Sequence, residues 1–261
     1  GAAPWCTPSL AGVTTEDRAH LLHYDYNNAA SLQAAAEKAK GDLAAVIVTA
    51  FRHDMGRDLE LPDLAFARAA REICDATGAA LILDDVRAGF RLHLGGSWEG
   101  IGVRPDLAAY SKAIANGHAL AAVTGNDSFR EAATRIYTTG SFWCGAVSMA
   151  AAVATLNELR RLDGPAHMRA MGERFRAGLA ALAARHGIGI RQSGPAQMPL
   201  VLFEDDADAS KGAAFCSAAL RAGAYFHPRH NMFLSCAHQA ADIDAALQAA
   251  DAGLAAVARM G

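Results

Sequence analysis

The chain has 261 residues, 52% of them hydrophobic, with a net charge of −3 and a pI near 6.4. That apolar content can bury a sizeable core, as one large domain or two smaller ones. There is no basic run, so nucleic-acid or anionic-membrane binding has no electrostatic footprint. The longest apolar stretch, around Ala146 to Leu156, is too short and too rich in small residues to span a bilayer.

The predicted elements alternate, which points to an α/β fold with a mainly parallel sheet. Ala44-Ala45-Val46-Ile47-Val48 reads as a buried strand. Leu61 to Thr77 reads as a helix, because Leu64, Phe66, Ala69 and Ile73 recur at helical spacing and Gly78 follows as a stop. Ala79 to Asp84, Leu107 to Tyr110 and Leu120 to Thr124 are further strands, and Asn126-Asp127-Ser128 starts another helix. Ala146 to Arg161 is an alanine-rich helix of the kind that packs closely on a second helix.

After Asp163-Gly164-Pro165 the character changes. A long helix, His167 to His186, precedes a strand around Gly187 to Arg191 and an apolar strand, Leu200-Val201-Leu202-Phe203. An acidic turn, Glu204 to Asp208, leads to a helix from Lys211 to Ala222, and a last helix runs from about Ala241 to Arg259. This is a separate α+β unit. The expected organisation is therefore two domains, residues 1–163 and 164–261.

The chemistry concentrates between Leu81 and Gly117. The apolar run Leu81-Ile82-Leu83 ends in Asp84 and Asp85, followed by Val86-Arg87-Ala88-Gly89-Phe90-Arg91. Further on, Arg104-Pro105-Asp106-Leu107-Ala108-Ala109-Tyr110-Ser111 leads into Lys112. Taken singly, Asp84 is an ordinary strand-end acid and Lys112 an ordinary surface lysine. Together they suit pyridoxal phosphate, which a lysine amine holds as a Schiff base while a carboxylate partners its pyridinium nitrogen.

Those residues resemble the class III (fold type I) pyridoxal-phosphate aminotransferases, in particular the glutamate-1-semialdehyde aminomutase-like branch. The likeness rests on the Asp84-Asp85-Val86 strand end, on Gly89-Phe90-Arg91, and on Pro105-Asp106-Leu107 before Lys112. The separation of acid and lysine (112 − 84 = 28) fits without a gap. The resemblance implies an incomplete large domain plus a small C-terminal α+β domain. In it, Lys112 is the Schiff-base lysine, Asp84 the pyridinium acid and Val86 the residue packed under the ring. It also implies that Gly140 and Ser141, in Tyr137-Thr138-Thr139-Gly140-Ser141-Phe142-Trp143, bind the cofactor phosphate across a homodimer. The plain reading of that stretch is a loop capping the following helix, whose free N–H groups would themselves favour an anion.

Other positions carry less. Arg52, His53 and Arg87 are candidates for a substrate carboxylate, since arginine offers a planar two-toothed donor. Pairing with Asp54, Asp58 or Asp85 is at least as good an account of them. Thr49 and Ala50 replace a Glu-Pro pair of the family, which argues mildly against an aminomutase. His227 and His230 lie three apart, without a third ligand at zinc-site spacing, and the reading preferred is a polar loop with no metal. The loop precedes Ser235-Cys236-Ala237-His238, which the resemblance places at the end of a strand. Cys6, Cys74, Cys144, Cys216 and Cys236 are scattered and odd in number, which favours a reduced, cytoplasmic protein. The opening Gly1-Ala2-Ala3-Pro4-Trp5 looks like the family from a Tyr-His-Gly glycine onward, so the first phosphate loop and a ring-stacking aromatic are expected from a separate N-terminal segment.

The expectation is thus a transaminase that moves an amino group between an amino acid or amine and a keto or aldehyde acceptor. The alternatives are an intramolecular aminomutase and an inactive fragment serving as a binding module.

Overall fold

Alternating burial along short β-branched runs builds the first sheet. In β1 (Ala45–Thr49), Val46 and Val48 are buried while Ile47 faces outward; in β2 (Ala80–Asp84), Leu81 and Leu83 are buried. The structure is a computed structural model that describes residues 12–39, 41–143 and 145–260. Before β1 come a single turn, α1 (Glu16–Ala19), and α2 (Ala29–Lys38), whose N-terminus is capped by the Asn28 side chain on the Ser31 amide. Between β1 and β2 lies α3 (Leu64–Thr77), capped by Asp63 at one end and by Gly78, at φ +74°, at the other. Its buried face, Phe66, Ala67, Ala70, Ile73 and Cys74, repeats at helical spacing and packs on β1 and β2. Burial there pushes the Cys74 thiol up to about 11, so it stays protonated near neutrality.

The sheet continues through β3 (Leu107–Tyr110) and β4 (Ala122–Gly125), in the order β1-β2-β3-β4. The first three strands are parallel and β4 is antiparallel to β3. At the entrance to β3, Asp106 accepts bonds from the Leu81 amide (2.7 Å), from Arg71 (2.8 Å) and from Asn126 (2.8 Å). Burial alone would raise this carboxyl; the three donors outweigh it and hold it below the usual range. The chain then forms α4 (Arg130–Arg135) and α5 (Ala146–Arg161).

The chain groups into two compact units. One takes the described residues through Arg52 together with Leu61–Glu158, and the other takes His53–Glu60 together with the residues from Leu159 onward. In the second unit, α6 (Gly164–Arg185), α7 (Ser210–Arg221) and α8 (Ala240–Ala258) enclose a core with the antiparallel pair β5 (Ile190–Ser193) and β6 (Leu200–Phe203). Phe175, Phe203, Phe215 and Phe226 stack within that core at centroid distances of 5.4–5.8 Å. The segment His53–Glu60 is fastened here by three contacts. The Gly56 amide donates to the Arg229 carbonyl (2.9 Å), the Leu59 amide to Ser193 Oγ (2.9 Å), and Arg191 pairs with Asp58 (3.0 Å).

Several elements differ from the sequence expectation. The α3 helix begins at Leu64 rather than Leu61, because Pro62 and the Asp63 cap precede it. The α2 helix gives little periodic signal and was not anticipated; only Leu32 and Ala35 are buried on it. The α5 helix is not closely packed within the described residues, with Ala152 its only buried position. The segment ending in Ser235 is not a strand. The Met232 and Leu234 amides donate to Pro199 and Gln197, and the Ser235 amide then turns onto His238 Nδ1 (3.0 Å).

Candidate active site

The three parallel strands bring their C-terminal ends to one edge, the place where α/β sheets hold ligands. Thr49 is in register with Asp84, and Asp84 with Ala109. The ladder runs one residue further on each side: the Ala50 amide donates to the Asp84 carbonyl (3.3 Å) and the Asp85 amide to the Ala109 carbonyl (3.0 Å). Asp84 is half-buried, and its Oδ1 accepts the Val86 N–H at 3.1 Å, which folds the chain back at the strand end. Arg87, half-buried, acts electrostatically on this same carboxylate. Burial lowers the Arg87 pKa and the Asp84 charge opposes that shift.

Lys112 follows directly after β3. Ser111 Oγ donates to the Leu120 carbonyl (2.9 Å), and a short 3-10 turn, Lys112–Ala115, buries Ile114 and Ala115 beneath it. Lys112 itself is exposed and sits at φ +46°, in the left-handed region that a side chain with Cβ enters only at a cost. Strain of this kind clusters at sites where a side chain must be aimed. Within the described residues its amine has neither an ion pair nor a hydrogen bond.

Beside Asp84, the adjacent Asp85 is fully buried. Both of its oxygens are used: Oδ2 accepts the Ser97 amide at 2.8 Å and Oδ1 accepts the Ser97 hydroxyl. Burial holds the Asp85 carboxyl above its usual value, the two Ser97 bonds offset only part of that shift, and the neighbouring Asp84 charge adds to it. Trp98, next in sequence, is buried and donates its indole N–H to the Ala50 carbonyl at 3.0 Å. Gly96 has φ +111°, and a Cβ there would meet the Tyr110 hydroxyl at 3.0 Å, so only glycine passes. Phe90 covers Tyr110 at a centroid distance of 4.9 Å.

Asp84, Val86, Arg87 and Lys112 therefore share one sheet edge. Gly140 and Ser141 lie in an exposed loop, and Ser141 stands five residues (146 − 141) before the first residue of α5, not in its first turn. Arg52 ends the first unit's opening segment and His53 begins the strap held in the second unit. Asp58, one suggested partner of Arg52 and His53, pairs with Arg191 instead, and Asp85, the suggested partner of Arg87, is taken by Ser97. Among the described residues no group of three or more His, Cys, Asp and Glu could hold a metal ion. His227 Nδ1 instead accepts the Arg229 amide (3.1 Å). Gly1 to Trp5, Cys6 and Cys144 lie outside the described residues. The bonding of the buried Asp85 to the half-buried Ser97, and the buried Trp98, were missed from the sequence; consecutive acids ahead of a Gly-Gly-Ser-Trp were the only signal.

A mainly parallel sheet thus presents an acid, Asp84, and a lysine at positive φ, Lys112, at its C-terminal edge. The chain belongs to the family described as aminotransferase class-III, whose model matches residues 6–250. It is 48% identical over 259 residues to the aminopentol aminotransferase of Sphingopyxis macrogoltabida, covering 99% of this chain and 61% of that protein. It is 35% identical over 191 residues to a glutamate-1-semialdehyde 2,1-aminomutase of Neisseria gonorrhoeae, covering 72% of this chain and 44% of that one. The PLP internal aldimine form of the FumI protein of Sphingopyxis sp. MTA144 superimposes with a TM-score of 0.95. The two share 47% identity over 99% of this chain and 63% of that one. The chain thus spans about three-fifths of the length of the aminopentol aminotransferase and of FumI. Its fold is that of the pyridoxal-phosphate aminotransferases.

Proposed function

We propose that this chain is part of a pyridoxal-phosphate-dependent transaminase that moves an amino group from an amine or amino acid to a keto or aldehyde acceptor. The observation that carries the reading is the placement of Asp84 and Lys112 at one edge of the parallel sheet, within three residues of register. The donor set suits the cofactor: a half-buried carboxylate for a ring nitrogen and an unengaged amine for an aldehyde. Bound there, pyridoxal phosphate supplies an electrophilic aldehyde carbon and a ring that withdraws electrons from a broken C–H bond. Lys112 is the amine that anchors it and then carries a proton to and from the substrate carbon. Asp84 keeps the ring nitrogen protonated, Val86 packs against the ring, and Gly140 and Ser141 offer an amide and a hydroxyl to the phosphate.

In this reading residues 1–163 belong to the cofactor-binding large domain and 164–261 form the small domain. Two copies share their sites. Supporting the dimer is a run of exposed apolar side chains around Gly140 and Ser141: Ile136, Tyr137, Phe142, Trp143, Val147 and Val153, with Phe142 91% exposed. No helix of the described residues is long and apolar enough to cross a membrane. Arg52 and His53 are retained as candidates for a substrate carboxylate. Arg87 is a weaker one, since its charge already acts on Asp84.

Borohydride reduction of the PLP-loaded full-length protein, followed by peptide mapping, should place the label on Lys112. A label on any other lysine ends the assignment. The donor panel begins with aminopentol-type amines, because of the relative so named, and each donor is run with and without a keto-acid acceptor. Turnover without any acceptor would replace the transaminase with an intramolecular aminomutase.

A further inference from the structure

The buried acid next to Asp84 lies outside that chemistry. Asp85 is the only fully buried charged side chain among the described residues, and a buried carboxylate is costly unless it is bonded. Its two oxygens spend themselves on one residue, Ser97, through the amide and the hydroxyl together. The loop so captured reaches the other strand ends as well. Trp98 donates to Ala50, one residue beyond β1, and Gly96 passes against the Tyr110 hydroxyl, the last residue of β3. The Asp85 amide meanwhile holds Ala109 of β3. A single loop, Gly95 to Trp98, therefore touches the ends of all three strands at the edge that presents Asp84 and Lys112.

We propose that Asp85 and Ser97 form a positioning latch that fixes the three strand ends and so aims Asp84 and Lys112. While the peptide joining it to Asp85 stays in place, Asp84 has freedom only about its own side chain. That peptide is held on both sides, by the Ala50 amide on the Asp84 carbonyl and by the Asp85 amide on the Ala109 carbonyl. The latch ties this joint to Trp98 and thence to β1. A bond between a buried carboxylate and two donors of one residue is strong and directional, which suits it to geometry rather than to proton transfer. The role as a cofactor-positioning device rests on the functional reading of Asp84 and Lys112.

The test uses the full-length protein with Ser97→Ala, Ser97→Thr and Asp85→Asn. Hydrogen exchange without cofactor should show faster uptake in peptides covering residues 84–98 of Ser97→Ala, with uptake in α3 unchanged. On adding PLP, the dissociation constant should rise about tenfold in Ser97→Ala, the size expected for losing one bond to a charged group. The absorbance of the bound cofactor should shift, since Asp84 no longer faces its nitrogen. Ser97→Thr, which keeps the hydroxyl, should restore both, and Asp85→Asn, which keeps the shape and loses the charge, should weaken PLP binding to a lesser degree. Unchanged exchange in Ser97→Ala overturns the latch. Faster exchange with unaltered PLP affinity and spectrum overturns the positioning role. A wild-type protein that takes up no PLP overturns the functional reading itself, and the exchange data then decide on the latch alone.

Discussion

Asp84 stands in parallel register with Ala109, so Lys112 lies only three positions (112 − 109) beyond its strand partner. Residues 28 apart in sequence (112 − 84) are thereby brought to one edge by sheet pairing alone. Parallel pairing requires a long crossover between β2 and β3, and the latch loop, Gly95 to Trp98, lies within that crossover.

Lys112→Ala should abolish covalent capture of the cofactor while leaving the fold intact, because the side chain is exposed and unbonded. Transamination should fall by at least about 10³-fold, as expected for removing a nucleophile that also transfers protons. Loss of the bound-cofactor absorbance with an unchanged circular dichroism spectrum is the expected pair of results.

Asp84→Asn should reduce turnover by about 10²-fold or more, since an amide cannot hold a proton on the ring nitrogen by charge. It should also loosen Arg87, whose guanidinium loses the carboxylate beside it. Steady-state rates and cofactor absorbance at fixed pH decide this. A variant with wild-type turnover removes Asp84 from the site.

Trp98→Phe deletes the indole N–H that the buried Ala50 carbonyl accepts at 3.0 Å and leaves that carbonyl the longer bond from the Tyr26 hydroxyl at 3.4 Å. Losing one neutral hydrogen bond of this kind costs about 0.5–1.5 kcal/mol. The melting temperature should fall by several degrees, with the loss read in the first unit by hydrogen exchange and the second unit unaffected.

Asp106 governs part of the acid sensitivity. Its folded-state pKa is depressed, because the Leu81 amide, Arg71 and Asn126 outweigh burial. Its contribution is therefore present above the unfolded carboxyl value, near 4, and is lost as pH falls through the lower folded value. Asp106→Asn should destabilise the protein by about 1–3 kcal/mol at neutral pH. The gap between wild type and variant should narrow as pH falls below about 4, as followed by denaturant midpoints.

Trp143→Asp or Phe142→Asp should convert a dimer to monomers, since both side chains are exposed and apolar in the loop beside Ser141. Sedimentation of the full-length protein gives the mass directly, and an unaltered dimer places the interface elsewhere.

The sequence by itself determined most of the elements. The apolar run Val46-Ile47-Val48, the helical spacing of Phe66 and Ile73, and the Gly78 stop follow from local geometry that any window of residues displays, while the exposure of Ile47 and the turning inward of Ala70 were read only from the fold. Asp84 and Lys112 stood out because one ends and the other follows an apolar strand run. Only the tertiary structure decided the rest. The short, weakly amphipathic α2 helix has little periodicity to read, with just Leu32 and Ala35 turned inward. The fastening of His53–Glu60 to Ser193 and Arg191 joins residues more than a hundred positions apart, which no local pattern encodes. The pairing of Asp85 with Ser97 depends on a loop folding back over a strand end, and burial of that acid is a property of the packed edge. Local propensity acts over a few residues, whereas the partner of a buried charge is chosen by whatever the chain brings within hydrogen-bond reach.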